Sequence, residues 1–312
     1  MGDFSSYVWQ SVQSPLQYAV PVFFAVVAIE ALLYTLEIRE ERLENRGYSA
    51  IDTRTSLSMG LGSLVTMVLF KMATLVLFVF LWANLALWKV PSDTWWSWLL
   101  LMLAVDLLWY FNHRFSHRVR IGWAAHQAHH SSEYFNFGTA LRQKWNPWSE
   151  AIFWLPLPLL GFEPWAIYTA FAFNLIYQFF THTERVGKLW APIEFLFNTP
   201  SHHRVHHASD EIYLDKNYAG ILIIWDRMFG TFQPELHRPT YGLTKPVDTY
   251  NLLELQYGEF RQIVRDVRTS TTWRDRLGYV FGPPGWAPSA TANPTSNTIP
   301  EVTMPPVAEV AS

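Results

Sequence analysis

The chain contains no cysteine. That excludes disulfides, zinc–thiolate sites and thiolate-held iron–sulfur clusters, so any metal must be bound by nitrogen or oxygen. Charge is also scarce, at 16% of residues against about 25% in an average soluble domain, which means that much of the surface does not face water. A net charge of -3 offers no electrostatic case for a nucleic-acid partner. No Lys or Arg precedes the first apolar run, so that run does not read as a signal peptide.

What is present in excess is apolar and aromatic. Half the residues are hydrophobic, with 16 Trp, 14 Tyr and 22 Phe. A first apolar run covers Gln17 to Leu36, about the twenty residues that cross a bilayer core. A second, Leu57 to Trp88, is interrupted only by Lys71 and exceeds one span. The third, Trp95 to Phe111, opens on an aromatic cluster suited to a membrane interface. A fourth region, 151–181, is broken by Pro156, Pro158, Gly161 and Pro164, which predicts two half-spans folded as a hairpin. Arg39, Arg42, Arg46 and Arg54 follow the first run, Lys89 alone follows the second, and Arg114, Arg118 and Arg120 follow the third. The positive-inside rule then places the first and third of these connections, and everything after the hairpin, in the cytoplasm.

The predicted fold is therefore all-α: a multi-pass transmembrane helical bundle with a cytoplasmic, histidine-rich helical cap. The expected divisions are an N-terminal segment (1–16), transmembrane helices (17–112), a histidine-rich domain that includes the hairpin (113–250), an amphipathic helical region (251–282) and a disordered tail rich in Pro, Ser, Thr and Ala (283–312).

Ten of the 11 histidines lie between His113 and His207. His113 and His117 are four apart. His126, His129 and His130 fall at i, i+3 and i+4, and His203, His206 and His207 repeat that spacing, with His202 just before; His182 stands alone after the hairpin. Side chains three and four apart on a helix are neighbours at about 5–6 Å, so each cluster is expected to point its imidazoles one way. Each cluster follows an apolar segment, which places them together at the mouth of the bundle. Eight to ten imidazoles suit two adjacent metals, whereas a structural zinc needs four and a haem one or two. Asp106, two helical turns before His113 in an apolar run, is a candidate to orient that imidazole by a hydrogen bond, and His202 is a candidate to support the ligands from behind. Asp226 and Arg227 read as a structural pair, Asn217 and Tyr218 as residues lining the site, and His237 as a surface residue. A redox metal pair at a membrane mouth points to O2 activation and to oxidation of a C–H bond in a lipid that arrives from the bilayer. A membrane metal transporter would place its ligands within the spans, and a bis-histidine haem carrier would need histidines in facing spans; the first three apolar runs contain none.

The segments HRFSH, HQAHH and HHRVHH resemble the histidine boxes of the fatty acid hydroxylase and sterol desaturase superfamily. Within it, HQAHHSSEYFNFGTALRQ (126–143), HTE (182–184), NTPSHHRVHH (198–207) and DKNYAGILIIWDRMFGTF (215–232) are similar to the alkylglycerol monooxygenase branch. They are equally similar to actinobacterial proteins labelled C-5 sterol desaturases, which the ending LGYVFGPPGW (277–286) also resembles. The resemblance implies a membrane-embedded, O2-dependent oxidoreductase with two non-haem irons that hydroxylates or desaturates a lipid or sterol, or cleaves an ether lipid. It implies His113, His117, His126, His129, His130, His203, His206 and His207 as iron ligands, with His182 as a ninth. It further implies an external electron donor, either a cytochrome b5 or ferredoxin, or tetrahydrobiopterin. The chain has no segment that looks like a cytochrome b5 or a nucleotide-binding domain, so the electrons must come from a separate donor.

Overall fold

The computed structural model describes residues 14–37 and 47–288. Arg39, Arg42 and Arg46 of the first charged connection, and the tail beyond 288, lie outside the described residues. Among those described the chain is helical throughout, with no strand and one isolated bridge between Ala208 and Tyr241.

The first two apolar runs become α1 (Pro15–Glu37) and α2 (Ala50–Leu85). Both are long and apolar enough to cross a membrane, and in each only 17% of the apolar window is buried inside the chain. A core helix of a soluble protein would be mostly covered, so these outer faces await an apolar surrounding. α2 begins seven residues earlier than the apolar run predicts, because its first turns are polar residues with buried partners, Asp52 and Ser56. The third run forms α3 (Trp95–Arg118), but α3 is not among the helices apolar enough to cross a membrane. Trp95, Trp96, Trp98, Trp109 and the buried Asp106 lower its hydropathy, so the expected third span stands as a helix and not as a span of the same quality.

The broken fourth region folds back on itself. α6 (Trp148–Trp154) and α7 (Pro156–Leu160) lead to a turn at Gly161, from which α8 (Pro164–Phe179) returns. The tip lies beside the end of α2, where Leu87 and Val90 donate backbone N–H groups to Leu159 and Gly161. Gly161 has φ +103°, and a Cβ there would come 2.2 Å from the Trp88 carbonyl oxygen, so only glycine fits the turn. Phe78, Leu101, Val105 and Trp109 pack against Trp154, Leu157, Ile167 and Ala170 to form the bundle core.

The cap follows directly from α3. Val119 breaks the helix, and α4 (Arg120–His130) starts beside it. α5 (Phe137–Ala140), α9 (Ala191–Leu196), α10 (Pro200–His206) and α11 (Ile224–Phe229) complete it. The amphipathic helix α12 (Leu252–Thr269) buries Leu255 and Ile263, and Leu255 joins Met59 and Ala128 in a small core. It is pinned to α4 by Arg120, whose guanidinium meets Glu259 and Asp266 at 2.7 Å each. α13 (Trp273–Phe281) follows, and Trp286 packs edge-on against Tyr279 at 5.2 Å. Of the segment assigned to the tail, Trp286 thus packs on Tyr279, while Pro283, Pro284 and Gly285 are exposed.

Candidate metal centre

Nine histidines, all buried, converge between α3, α4, α8 and α10 in two groups. His113, His117, His126, His130 and His206 form one; His129, His182, His203 and His207 form the other. Within each group the available ligand nitrogens lie within 4.8 Å of one another. Each triplet does not point one way, as its spacing alone suggests. Residues i and i+4 lie about 40° apart around a helix while i+3 falls about 60° to the other side. His126 and His130 therefore join the first group and His129 the second, while His203 and His207 join the second and His206 the first. Two short helices each straddle both groups.

The proton positions make these groups unusual. His113 Nδ1 donates to the Tyr218 carbonyl at 2.8 Å, His206 Nδ1 to Lys216 at 3.0 Å, His129 Nδ1 to Arg142 at 3.2 Å and His182 Nδ1 to Gln178 at 2.8 Å. A carbonyl accepts only from a protonated nitrogen, so the Nε2 atom of each neutral ring carries a lone pair. Yet the Nε2 atoms of His129 and His182 face each other at 3.3 Å. No hydrogen bond joins two lone pairs. His182 Nε2 is also 3.0 Å from His203 Nε2, and His113 Nε2 is 3.0 Å from His126 Nε2. The Nε2 atoms of His117, His206 and His207 are buried with no hydrogen-bond partner. Burial, reinforced by neighbouring imidazoles, pushes the rings far below the ordinary histidine range. For His182 the value falls to about 3 and for His206 to about 4, in both cases chiefly through burial. Neutral, converging, unpartnered nitrogens in a protein interior are the condition that a divalent cation satisfies. The donor set, all imidazole, fits iron, zinc or copper.

The backbone carbonyls that orient the rings are themselves held. Asp106 Oδ1 accepts from Asn174 and from the Ile221 N–H, and its Oδ2 from the Leu222 N–H and the Trp225 indole, at 2.7–2.9 Å. Asp226 accepts from the N–H groups of Tyr218 and Ala219 at 2.8 Å. Together the two carboxylates fix the loop whose Tyr218 carbonyl orients His113. The expected direct bond from Asp106 to His113 is absent, since all four of its contacts go to other groups, and its influence passes through the loop. Asp226 and Arg227 are not a pair: Arg227 lies over the Phe232 ring and donates to the carbonyls of Phe195 and Glu194. His202 faces away from both groups, with Nε2 on Glu194 at 3.0 Å and Nδ1 at the N-terminus of α10. It secures the helix and does not reach the ligand nitrogens. Asn217 has the same distant role, binding the His202 and Gln233 carbonyls, whereas the Tyr218 ring does line the first group, 5.3 Å from His117. His237 lies on the surface against Asp210.

Sequence reading did not single out Arg142 or Phe135. Arg142 is fully buried, pairs with Asp52 at 2.6 Å and with Ser131 at 2.8 Å, and presents its carbonyl to His129. Phe135 stacks on His182 at 5.6 Å. Neither belongs to a spaced pattern, and the only available signal was an arginine in a stretch that carries little other charge.

On the bundle side, His113, His126, His129, His182 and His203 close a cavity of about 150 Å3 whose other walls are largely apolar, among them Phe23, Leu64, Met67, Trp109 and Phe171. A second apolar cavity of about 360 Å3 shares Leu16, Val20, Leu64, Met67 and Leu175 with it and runs between α1, α2 and α8.

The sequence profile of the fatty acid hydroxylases matches residues 98–231, a segment that contains all nine converging histidines. The chain is 39% identical over 286 residues to the alkylglycerol monooxygenase of Danio rerio, covering 91% of this chain and 63% of that protein. It is 41% identical over 257 residues to the alkylglycerol monooxygenase of Homo sapiens, covering 81% and 56%. A shorter match, 30% over 148 residues and under half of either chain, reaches the ornithine lipid hydroxylase OlsE of Rhizobium tropici. The chain thus spans little more than half the length of these monooxygenases. No solved structure matches it.

Proposed function

We propose that the chain is a membrane-embedded, O2-dependent oxidoreductase that hydroxylates a C–H bond of a lipid. The observation that carries this reading is the pair of buried imidazole groups closing the inner end of an apolar cavity. Two non-haem irons would be held by His113, His117, His126, His130 and His206 on one side and by His129, His182, His203 and His207 on the other. When bound, the iron pair supplies the activation of O2.

The chain's own residues perform the rest. The hydrocarbon of the lipid lies along Leu64, Met67, Phe171 and Leu175, excluded from water, with one carbon held near the Nε2 side of the rings. The Nδ1–carbonyl bonds hold His113, His129, His182 and His206 in the tautomer that offers Nε2, so these four rings need not reorient during turnover. One oxygen atom of O2 ends in the lipid and the other in water, which requires two electrons and two protons from an external donor, of the cytochrome b5 or ferredoxin type or a tetrahydropterin. The exposed apolar faces of α1 and α2 support seating these helices in the bilayer, and the arginine-rich connections of the sequence support a cytoplasmic cap.

Among lipid substrates the reading favours a glycerol ether over a sterol. The relatives matched over most of this chain are alkylglycerol monooxygenases, and the cavity beside the histidines is walled largely by apolar side chains. A hydroxyl placed on the carbon beside an ether oxygen makes a hemiacetal that falls into an aldehyde and an alcohol, so hydroxylation alone cleaves the ether. The test is to purify the chain in detergent, quantify iron, and incubate it under 18O2 with an alkylglycerol, an ornithine lipid and a sterol, using ferredoxin and tetrahydropterin donors in turn. About two irons per chain and an 18O-labelled aldehyde from the alkylglycerol are expected. Iron with oxidation of the sterol alone would overturn the substrate, and a chain that binds no metal would overturn the reading as a whole.

A further inference from the structure

The last two helices hold large apolar side chains at the surface. α12 buries Leu255 and Ile263 against the cap, and its other side presents Tyr257, Phe260 and Val264 at i, i+3 and i+7, with Val264 47% exposed. These three line one open recess together with Arg261, Arg265 and Arg268. α13 has no buried residue, and Trp273, Leu277 and Phe281 recur along it every four residues, 74%, 54% and 61% exposed. A helix that is apolar on the side its own domain leaves open requires a further apolar surrounding.

Charge is unevenly shared over the same pair. Arg120 takes both Glu259 and Asp266, Arg261 takes Glu254, and Asp275 accepts from the Thr272 hydroxyl at the start of α13. Arg265, Arg268 and Arg274 are exposed and have no acidic partner among the described residues; Arg265 donates to Gln262 at 3.3 Å. The two helices are also tied to the membrane segments. Arg120, two residues past the end of α3, holds α12 through its guanidinium, and its backbone N–H donates to the Gly282 carbonyl just past α13 at 2.9 Å. The Phe260 ring lies 6.3 Å from that of Trp148, the first residue of the hairpin.

We propose that α12 and α13 lie on the surface of a bilayer that contains anionic phospholipid. Tyr257, Phe260, Val264, Trp273, Leu277 and Phe281 sit in the headgroup layer, and Arg265, Arg268 and Arg274 meet the phosphates. The inference rests on the membrane-embedded reading above, which sets the bilayer surface at the end of α3 and the start of the hairpin. Aromatic residues flanked by arginine are the composition of an interfacial helix. The same unpaired arginines disfavour a second copy of the chain on this face, since like charges would meet.

The chain has no cysteine, so Val264→Cys and Leu277→Cys each accept one nitroxide label at a known place. The labelled full chain is reconstituted, one copy per disc, in nanodiscs of phosphatidylcholine with and without one third phosphatidylglycerol. Both labels should be shielded from a water-soluble nickel chelate and open to O2, whereas a label at Glu211→Cys, an exposed position in the cap, should be open to the chelate. Changing Arg265, Arg268 and Arg274 together to Gln should lower the preference for fluorescent phosphatidylglycerol over phosphatidylcholine at least about fivefold, the weight of one arginine at an anionic surface, with metal content unchanged. Labels at 264 and 277 as open to the chelate as the one at 211 overturn the proposal, and so does equal lipid preference in wild type and triple variant. Shielding lost in a chain ending at 288 would assign the face to the segment beyond, and shielding found only in discs with two copies would assign it to a second copy; either result overturns the proposal. A label at Val68→Cys, 60% exposed on α2, separates the two readings. Val68 shielded with 264 and 277 open counts against the surface seat alone, and all three open counts against the membrane reading.

Discussion

The two histidine groups are neighbours built on different principles. The group of five takes four members from two i, i+4 pairs, His113/His117 on α3 and His126/His130 on α4, and its carbonyl partners come from one loop, Lys216 and Tyr218. Asp215 and Asn217 in that loop adopt left-handed backbone, φ 59° and 55°, a conformation that Asp and Asn tolerate better than most residues. The group of four has one such pair, His203/His207, and depends on His182, which lies after α8 and is oriented by the carbonyl of Gln178. One group is assembled by local helical geometry and a braced loop. The other is assembled by tertiary packing, and it is the one that faces Phe135.

That contrast can be broken. The largest effect is expected from removing ligands. His117→Ala with His206→Ala should release one metal and leave the other, and His203→Ala with His207→Ala should do the reverse, both abolishing turnover. Metal quantification checks the count, and iron spectroscopy of the two variants should show different residual sites. If either pair released both metals, the groups would not be separable. Next comes Arg142→Ala, which strands the buried Asp52 carboxylate and removes support from the segment orienting His129. It should destabilise the fold by about 3–5 kcal/mol, read in thermal unfolding, and loosen the group of four more than the group of five. Asp106→Asn acts on the other side: it replaces an acceptor of four hydrogen bonds and should weaken metal affinity at the group of five by about 10–100-fold, measured by competition with a chelator. Gly161→Ala, far from both groups, should cost about 1–3 kcal/mol through its forced left-handed backbone without altering metal content. Leu253→Ser, exposed on α12, should stay within about 0.5 kcal/mol and serves as the control.

The histidine spacing made both the helices and eight of the nine converging residues legible in the sequence, because histidines three and four apart are neighbours on a helix surface. The division into two groups was not legible in the same way, since it depends on how α4 and α10 are rotated toward each other. The hairpin was visible in its prolines and in Gly161. α3 was legible as a helix, but its expected quality as a span was not, because tryptophans read as interfacial where Trp109 serves the core. Asp106 was rightly marked by its cost in an apolar run, yet its target could not be read, since its partners lie 68 to 119 residues away. Arg142 and Asp52 escaped notice for the same reason: a pair 90 residues apart leaves no periodic trace.

The alternation along α4 and α10 has one more consequence. Each helix contributes to both groups, so the separation between them is set by the pitch of an α-helix and by nothing that can flex independently. Insertion or deletion of a single residue within HQAHH or HHRVHH would rotate the following histidines by about 100° and dismantle both groups at once. These segments therefore tolerate substitution at their non-histidine positions far better than any change of length.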